Sequence, residues 1–345
     1  MTFNLLLLGF GHVARRFATL LEESDAALAE LDVRPRVVGI ATGRHGFLFD
    51  ERGLDAAACA RQIAEGQVLS PDGHDAVDLI TRLAGLETGV PVLIETTPLN
   101  VATAEPALSH VRAALARRVH VITANKGPVA LAYADLSRLA SQSGTSLLFE
   151  GAVMDGIPIF NLVRETLPAC RLDGFRGVVN STTNFIITAL EEGDAFETAL
   201  ARMQAAGVAE ADPSLDVDGW DAAAKAAAMA NVWLDARMTP SAVDREGLGP
   251  STANRARAAL SRGRRLKLVA SGRRDSQGVR VRVALEELAL DDPLAALDGQ
   301  ANALEIETWP AGRIVITQRD GGLEKTAYAL VSDLVTLARR LGSGR

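Results

Sequence analysis

The feature that most restricts the fold is the beginning of the chain, where an apolar strand, Leu5–Leu8, leads directly into the glycine turn GFGHVA, residues 9 to 14. A segment with helical periodicity follows this turn. In a G-x-G-x-x-G/A turn, Gly9 permits the tight bend, Gly11 lets the backbone approach a pyrophosphate, and the N–H groups of the helix start bind its charge. The motif predicts a dinucleotide site, and the alternative is a purely structural turn.

Strands and helices alternate through the rest of the first half. Further apolar segments predict strands, and a long alanine-rich segment predicts a helix between two of them. The strands are RVVGIA (36–41), VPVLIETT (from 90) and VHVITA (119–124), and the helix is ATAEPALSHVRAALARR (102–118). This alternation is typical of a doubly wound, parallel α/β sheet. The segment SLLFEGAV, from residue 146, is expected to close this domain.

After Glu150 the pattern changes to long helices, which continue to Arg237 and are followed by short alternating segments. Alternation of this kind predicts antiparallel strands with one buried face. The segments are RRLKLVASGRR, GVRVRVALEEL, NALEIETW and GRIVITQ. A mixed α+β second domain follows from them. The final amphipathic stretch, KTAYALVSDLVTLARRL, is expected to pack back on the first domain.

Composition excludes several classes of protein. With 345 residues, of which 48% are hydrophobic, the chain is long enough for two domains. A net charge of −7 and the absence of a lysine-rich stripe argue against a nucleic-acid surface, so small molecules are the expected partners. No uncharged stretch is as long as a membrane helix. Cys59 and Cys170 lie in no metal-binding or redox spacing, which favours the cytoplasm.

The end of the second strand bears on the choice of cofactor. A carboxylate that would bind the ribose hydroxyls of NAD is missing from the sequence ATGRHG (41–46). Arg44, with His45 beside it, can instead pair with a 2′-phosphate, which favours NADP. The equally weighted alternative is an exposed loop arginine.

Two further loops follow strands at their carboxyl ends, where open α/β sheets bind ligands. These loops are ETTP (95–98) and TANKGP (123–128). The position of Lys126, between a strand and a helix that starts near a proline, points it toward a nicotinamide and a substrate. An ordinary surface lysine is the alternative.

The segment DVDGWDAAAKAAAMAN, from Asp216, predicts an alanine-rich helix with Asp221 and Lys225 on one side, one turn apart. Alone, such a pair is usually a solvated surface salt bridge. Together with Asp216 and with Glu210 and Asp212 of the preceding loop, it predicts an acidic pocket that holds one lysine. Such a pocket suits a zwitterionic substrate whose ammonium needs carboxylates and whose oxygen needs a proton donor.

Taken in order, five motifs make the chain resemble homoserine dehydrogenase over nearly its whole length. They are GFGHVA, TANKGP, GVVNSTTNF, GVAEADPSLDVDGWDAAAK and SDLV. The resemblance implies NAD(P)-dependent interconversion of L-aspartate 4-semialdehyde and L-homoserine, in the branch leading to threonine, methionine and isoleucine. It also implies an α/β fold with an N-terminal Rossmann-type dinucleotide-binding domain, residues 1–149 with a helix at about 323–341. The second, α+β domain, residues 150–322, would bind substrate, carry catalysis and form a homodimer.

The same resemblance assigns residues to roles. Lys225 is the proton donor or acceptor at the substrate oxygen, and Lys126 approaches the nicotinamide and shares in proton transfer. Substrate binding falls to Glu210, Asp221, Asp216 and Thr182. Binding of NADP(H), with NAD(H) as the alternative cofactor, falls to Gly9, Phe10, Gly11, His12, Val13, Arg44, Thr96, Thr97, Lys126 and Gly322. A structural sodium ion would lie on the backbone of Glu150, Val153, Asp155 and Ile157.

The chain departs from the family pattern at a few positions. Ser181 stands where the family commonly has glycine before a pair of threonines, and DGGLEKTA (320–327) alters the glycine-rich turn near Gly322. We also expect no C-terminal ACT regulatory domain. Two other hypotheses remain: a related NADP-dependent reductase with another substrate, and a catalytically silent NADP-binding sensor. The sensor would not need Lys225 and its acidic neighbours.

Overall fold

The computed structural model describes residues 1–70, 73, 75–205 and 212–342. The chain forms two compact units, the first comprising Met1–Val163 and the residues from Leu323 onward, and the second Arg164–Gly322. Residues 150–163 belong to the first unit because they are bonded to its C-terminal helix. The N–H of Glu150 donates to the Asp333 carboxylate at 2.8 Å, and the Asn161 amide donates to it at 3.0 Å. This division therefore lies beyond residue 149, where the sequence places the domain boundary.

Twelve strands are present in the described residues. They are β1 (Thr2–Leu8), β2 (Arg34–Thr42), β3 (Gly46–Phe49), β4 (Val90–Glu95), β5 (His120–Thr123), β6 (Leu147–Leu148), β7 (Arg171–Val178), β8 (Asp244–Arg245), β9 (Arg264–Asp275), β10 (Gly278–Ala289), β11 (Asn302–Trp309) and β12 (Gly312–Gln318).

The helices of the described residues are α1 (His12–Glu23), α2 (Asp25–Glu30), α3 (Ala56–Ala64), α4 (Ala76–Ala84), α5 (Ala107–Ala116), α6 (Lys126–Ser143), α7 (Ile159–Asn161), α8 (Ser181–Glu192), α9 (Phe196–Ala205), α10 (Ser214–Val217), α11 (Trp220–Leu234), α12 (Thr252–Ser261) and α13 (Leu323–Gly342). No helix in the described part of the chain combines the length and apolar character needed to cross a membrane.

The first unit contains a six-stranded sheet in the order β3-β2-β1-β4-β5-β6. All of its pairs are parallel except the β2–β3 hairpin. The chain leaves β1 on one side, toward β2, and later continues on the other side with β4. This reversal is the topological switch point at which doubly wound sheets bind ligands, beyond the carboxyl ends of the strands. The predicted parallel α/β sheet is confirmed.

The core of the first unit contains residues from both ends of the chain. Phe17 of α1 packs in one apolar cluster with Leu330, Leu334 and Leu337 of α13, and all four are fully buried. The three leucines recur at the i, i+4, i+7 spacing that gives a helix one apolar face. Each buried leucine side chain contributes roughly 1.5–3 kcal/mol. The helix α13 is thus part of the hydrophobic core of this unit.

The second unit contains a six-stranded sheet in the order β12-β11-β7-β9-β10-β8. Its pairs are antiparallel apart from the short parallel pair of β8 with β10. The four segments predicted as strands are β9 to β12. Helices α8, α11 and α12 pack against the sheet, so the predicted α+β architecture is confirmed.

Two predicted helix starts are wrong. The helix predicted from Asp216 starts at Trp220, because Gly219 at φ +77° interrupts it and leaves Asp216 in the separate short helix α10. The helix predicted over residues 102–118 covers only Ala107–Ala116, with Pro106 as its N-cap residue. In both cases a single glycine or proline sets the boundary.

Candidate functional site

The glycine turn of the first unit is shaped by close backbone packing. Gly9 has φ +85°, and its N–H donates to the carbonyl of Ala41 at 3.0 Å. A Cβ at this position would lie 2.6 Å from the carbonyl carbon and oxygen of Thr96 and 2.7 Å from the nitrogen of Thr97. The Thr96 hydroxyl also donates to the Gly9 carbonyl at 2.8 Å. Glycine is therefore required here by both its conformation and its neighbours.

Gly11 differs from Gly9, because it has an ordinary φ of −75° and a Cβ built on it meets nothing within 4 Å. It is the N-cap residue of α1, whose start has neither a side-chain cap nor an acidic residue. Exposed His12 begins the helix, whereas the Phe10 side chain is buried in the core. The open space at Gly11 and the N–H groups of α1 fit a pyrophosphate.

The loops after β4 and β5 line much of a small, open cavity of about 140 Å³ in the first unit. Four predicted cofactor residues come together there, and four further residues complete the described lining. The predicted residues are Val13, Thr96, Thr97 and Lys126, and the others are Leu99, Ala124, Asn125 and Thr326. Sequence reasoning missed the latter four. Ala124 and Asn125 carried a signal, because both lie inside the TANKGP motif, and Thr326 lies inside the DGGLEKTA segment.

The other six predicted cofactor residues are not part of the described lining of this cavity. Four of them, Gly9, Phe10, Gly11 and His12, belong to the glycine turn, and the remaining two are Arg44 and Gly322. Arg44 is exposed in the turn between β2 and β3, where its N–H donates to the Thr42 hydroxyl at 3.2 Å. Gly322, at φ +120°, is the last residue of the second unit.

The second unit brings the predicted lysine and aspartate into contact. The Lys225 ammonium lies 3.0 Å from the Asp221 carboxylate and donates to the carbonyl of Val179 at 2.6 Å. The side chains of Lys225 and Asp221 are only 14% and 13% exposed. A solvated surface salt bridge would leave both charges in water. This pair is instead enclosed by the unit that contains it.

Asn180 joins the acids of this cluster. Its side-chain nitrogen donates to Asp216 at 2.7 Å and to Asp221 at 3.0 Å, while its side-chain oxygen accepts the N–H of Thr183 at 2.8 Å. Burial raises the pKa of Asp216, the charge of Asp221 raises it further, and donors from Asn180 and Thr182 oppose the rise. Asn180 was missed by sequence reasoning, although it lies inside the GVVNSTTNF motif.

The other predicted substrate residues fall in different places. Thr182 is buried and is bonded to Asp216. Asp212 is exposed, and its carboxylate accepts the N–H of Ser214 at 3.0 Å. Ser181, which precedes Thr182 in the chain, accepts a hydrogen bond at its hydroxyl from the side-chain amide of Asn302 at 2.8 Å. Glu210 lies outside the described residues.

The predicted sodium residues lie on one loop of the first unit. It begins with a 3₁₀ turn, Glu150–Ala152, and continues through Asp155, at φ +48°. The carboxylate of Glu150 accepts the N–H groups of Phe160 and Asn161 at 2.8 and 2.6 Å. The carbonyl of Ile157 accepts the N–H of Ile159 at 2.8 Å. Among the described residues, no group of three or more His, Cys, Asp or Glu side chains is arranged to hold a metal.

A parallel sheet with a glycine turn at its switch point is typical of dinucleotide-binding proteins, and the lysine–carboxylate cluster of the second unit is suited to proton transfer. Residues 9–150 match the family model for the NAD-binding domain of homoserine dehydrogenase, and residues 158–335 match the model for homoserine dehydrogenase itself. The chain belongs to the homoserine dehydrogenase family.

Individual relatives agree over the whole chain. An NAD(+)-dependent homoserine dehydrogenase from Pseudomonas canavaninivorans is 34% identical over 96% of this chain and 95% of its own length. A homoserine dehydrogenase from Sulfurisphaera tokodaii is 34% identical over 97% and 99%. The crystal structure of a homoserine dehydrogenase from Thiobacillus denitrificans is 30% identical, covers 99% of this chain and 74% of that chain, and has a TM-score of 0.83.

Proposed function

We propose that the protein interconverts L-homoserine and L-aspartate 4-semialdehyde with a nicotinamide dinucleotide, in the branch that leads to threonine, methionine and isoleucine. The observation that carries this proposal is the enclosed pair of Lys225 and Asp221, 3.0 Å apart, with Asp216 tied to Asp221 through Asn180. A cationic proton donor beside carboxylates suits an amino acid that carries both an ammonium group and a reacting oxygen.

The carboxylates have the charge needed to bind the substrate ammonium. Asp221 and Asp216 hold this group in the proposal, with Thr182 orienting Asp216 and Glu210 adding a carboxylate from outside the described residues. An ionised carboxylate repels a developing oxyanion, so these acids are poor candidates for the proton at the substrate oxygen. That role falls to Lys225.

Lys225 acts where charge develops. When the aldehyde carbon gains hydride, its oxygen becomes negative, and an ammonium at that oxygen both stabilises the charge and delivers a proton. General acid catalysis of this kind typically contributes about 10²–10⁴-fold. The hydrogen bond from Lys225 to the Val179 carbonyl and the contact with Asp221 hold the ammonium in one position.

The first unit holds the dinucleotide in the proposal. The bound cofactor supplies or accepts the hydride. The open space at Gly11 and the N–H groups of α1 receive the pyrophosphate, and Thr96, Thr97 and Lys126 line the nicotinamide subsite. Lys126 is half-buried and begins α6, three residues after the carboxyl end of β5.

Turnover of homoserine tests the proposed function. The absorbance of the reduced cofactor should rise with L-homoserine and fall with aspartate semialdehyde, whereas malate and other hydroxy acids should give no comparable rate. Turnover of another hydroxy acid but not of homoserine would favour a reductase with a different substrate. Binding of the dinucleotide without turnover of any of these compounds would favour a sensor.

NADP(H) is the proposed preference, because the strand β2 ends without a carboxylate and exposed Arg44 follows it. The relative from P. canavaninivorans, in contrast, is named as dependent on NAD(+). Replacing Arg44 with alanine should raise the KM for NADP about tenfold and leave the KM for NAD within about twofold, since only NADP has a phosphate there. Arg52→Ala, at an exposed arginine of the same unit, is the control. Equal effects on both cofactors would make Arg44 a simple loop residue.

Assembly, ion binding and location complete the proposal. We propose a homodimer that forms through the second unit, which light scattering would detect as twice the chain mass of 36.4 kDa.

We also propose that sodium binds the backbone of the loop at 150–157. An increase in thermal stability with sodium concentration, at constant ionic strength, would reveal this binding. The unpaired Cys59 and Cys170 agree with a cytoplasmic location, which cell fractionation would test.

A further inference from the structure

Glu95 is a buried carboxylate for which the proposed reaction has no role. It is the last residue of β4, in the middle of the sheet of the first unit, and its exposure is 0%. An ionisable group is costly to bury unless it is compensated by hydrogen bonds or charge. Its neighbours should therefore show what the carboxylate does.

Three donors converge on the Glu95 carboxylate. One oxygen accepts the N–H of Thr97 at 2.9 Å and the Thr97 hydroxyl, and the other accepts the Thr123 hydroxyl at 2.9 Å. A backbone N–H can only donate, and each hydroxyl is able to donate, so all three contacts favour an ionised carboxylate. Burial raises the pKa of Glu95 above its ordinary value, and the three hydrogen bonds oppose this rise without cancelling it.

The same contacts form a closed ring with Asn125. Its side-chain amide donates to the carbonyl of Thr97 at 3.0 Å, and its backbone N–H donates to the Thr123 hydroxyl at 3.0 Å. Its side-chain oxygen caps α6 by accepting the N–H of Gly127 at 3.0 Å. The ring of Glu95, Thr97, Asn125 and Thr123 thus ties together the two loops that line the cavity at the end of the sheet.

We propose that Glu95 is a positioning residue for these loops and that its buried negative charge makes the nicotinamide subsite favour the oxidised cofactor over the reduced one. This inference rests on the proposed function, which places the nicotinamide in the cavity lined by Thr97 and Lys126. The oxidised ring carries a positive charge, and the ring becomes neutral when it gains hydride. A fixed charge nearby therefore acts on one redox state and not on the other.

The charge of Lys126 acts in the opposite direction, because this lysine lines the same cavity. Without the charge of Glu95, the repulsion between the Lys126 cation and the oxidised ring would lose this opposing charge. The relative affinity for the two forms also sets the direction in which bound cofactor tends to react. A subsite that favours the oxidised form promotes hydride donation from the reduced form, and hence reduction of the aldehyde.

Direct binding tests this inference without any turnover. Calorimetric titration should give the Kd of the oxidised and the reduced dinucleotide for each variant, with no homoserine present. We expect Glu95→Gln to raise the Kd of the oxidised form about fivefold or more and that of the reduced form less than about twofold. Glu95→Asp keeps the charge and should retain a Kd ratio within about twofold of wild type.

Two further variants separate charge from loop positioning. Thr123→Val removes one donor from the ring without changing its charge, so both Kd values should rise together. Lys126→Met should shift the ratio in the direction opposite to Glu95→Gln, and it decides the question if Glu95→Gln fails to fold. The role of charge would be overturned if Glu95→Gln and Lys126→Met changed the Kd values of both redox forms equally. It would also be overturned if Thr123→Val shifted the ratio of the two Kd values as much as Glu95→Gln does. Binding of neither form by the wild type would instead reject the proposed function.

Discussion

Replacing Lys225 with methionine is expected to lower kcat by about 100-fold or more, because the substrate oxygen loses both its proton donor and a stabilising cation. Methionine keeps most of the side-chain volume among the small neighbours of α11, so the fold should survive. The Kd of the dinucleotide should change less than about twofold, since the first unit is proposed to bind it. Steady-state kinetics with homoserine, together with titration of the cofactor, would measure both quantities.

Two further variants distinguish proton transfer by Lys225 from other causes of a lower kcat. Glu210→Gln removes a charge proposed to bind the substrate ammonium, so it should act chiefly through the KM for homoserine. Lys126→Met should lower kcat less than Lys225→Met if Lys225 is the proton donor. Near-normal kcat in Lys225→Met would show that the contact with Asp221 is structural, and Lys126 would become the leading candidate for the proton.

The second large effect concerns the two glycines of the first turn, which should respond differently to the same added methyl group. Gly9→Ala should lower the free energy of unfolding by about 2 kcal/mol or more, because alanine is strained at φ +85° and its Cβ would meet Thr96 at 2.6 Å. Gly11→Ala has no such conflict and should cost about 1 kcal/mol or less. It should nevertheless weaken dinucleotide binding about tenfold or more, because its Cβ enters the space proposed for the pyrophosphate.

Chemical denaturation and calorimetric titration of the two variants would separate stability from binding. The informative result is a Gly11→Ala protein that loses about 1 kcal/mol of stability or less and binds the dinucleotide poorly. Unchanged affinity in this variant would place the pyrophosphate elsewhere and would remove the main support for the glycine turn as a cofactor site.

The features that the sequence predicts correctly are those that depend on residues close together in the chain. The glycine turn, the parallel sheet and the contact of Asp221 with Lys225 follow from spacings of a few residues, and a helix brings positions i and i+4 together. The predicted start of α11 is wrong because Gly219, just before the alanine-rich segment, adopts a left-handed conformation that only the structure shows.

The parts of the site that escaped prediction are held by contacts between distant segments. Asn180 reaches Asp216 and Asp221 across 36 and 41 residues of sequence, and no periodicity encodes such a pairing. Thr326 lines the same cavity as Val13 although the two lie at opposite ends of the chain. Glu95 reads as an ordinary strand end until its three donors are known. Tertiary packing supplies these partners.

The return of α13 to the first unit has a consequence for the order of folding during synthesis. Residues 1–163 leave the ribosome long before Leu330, Leu334 and Leu337 are synthesised. Until then, the apolar surface of the first unit that packs against these leucines of α13 stays uncovered. The second unit, Arg164–Gly322, is a continuous segment and has no such delay. The core of the first unit is therefore completed only after the second unit has been synthesised, although most of the first unit is synthesised earlier.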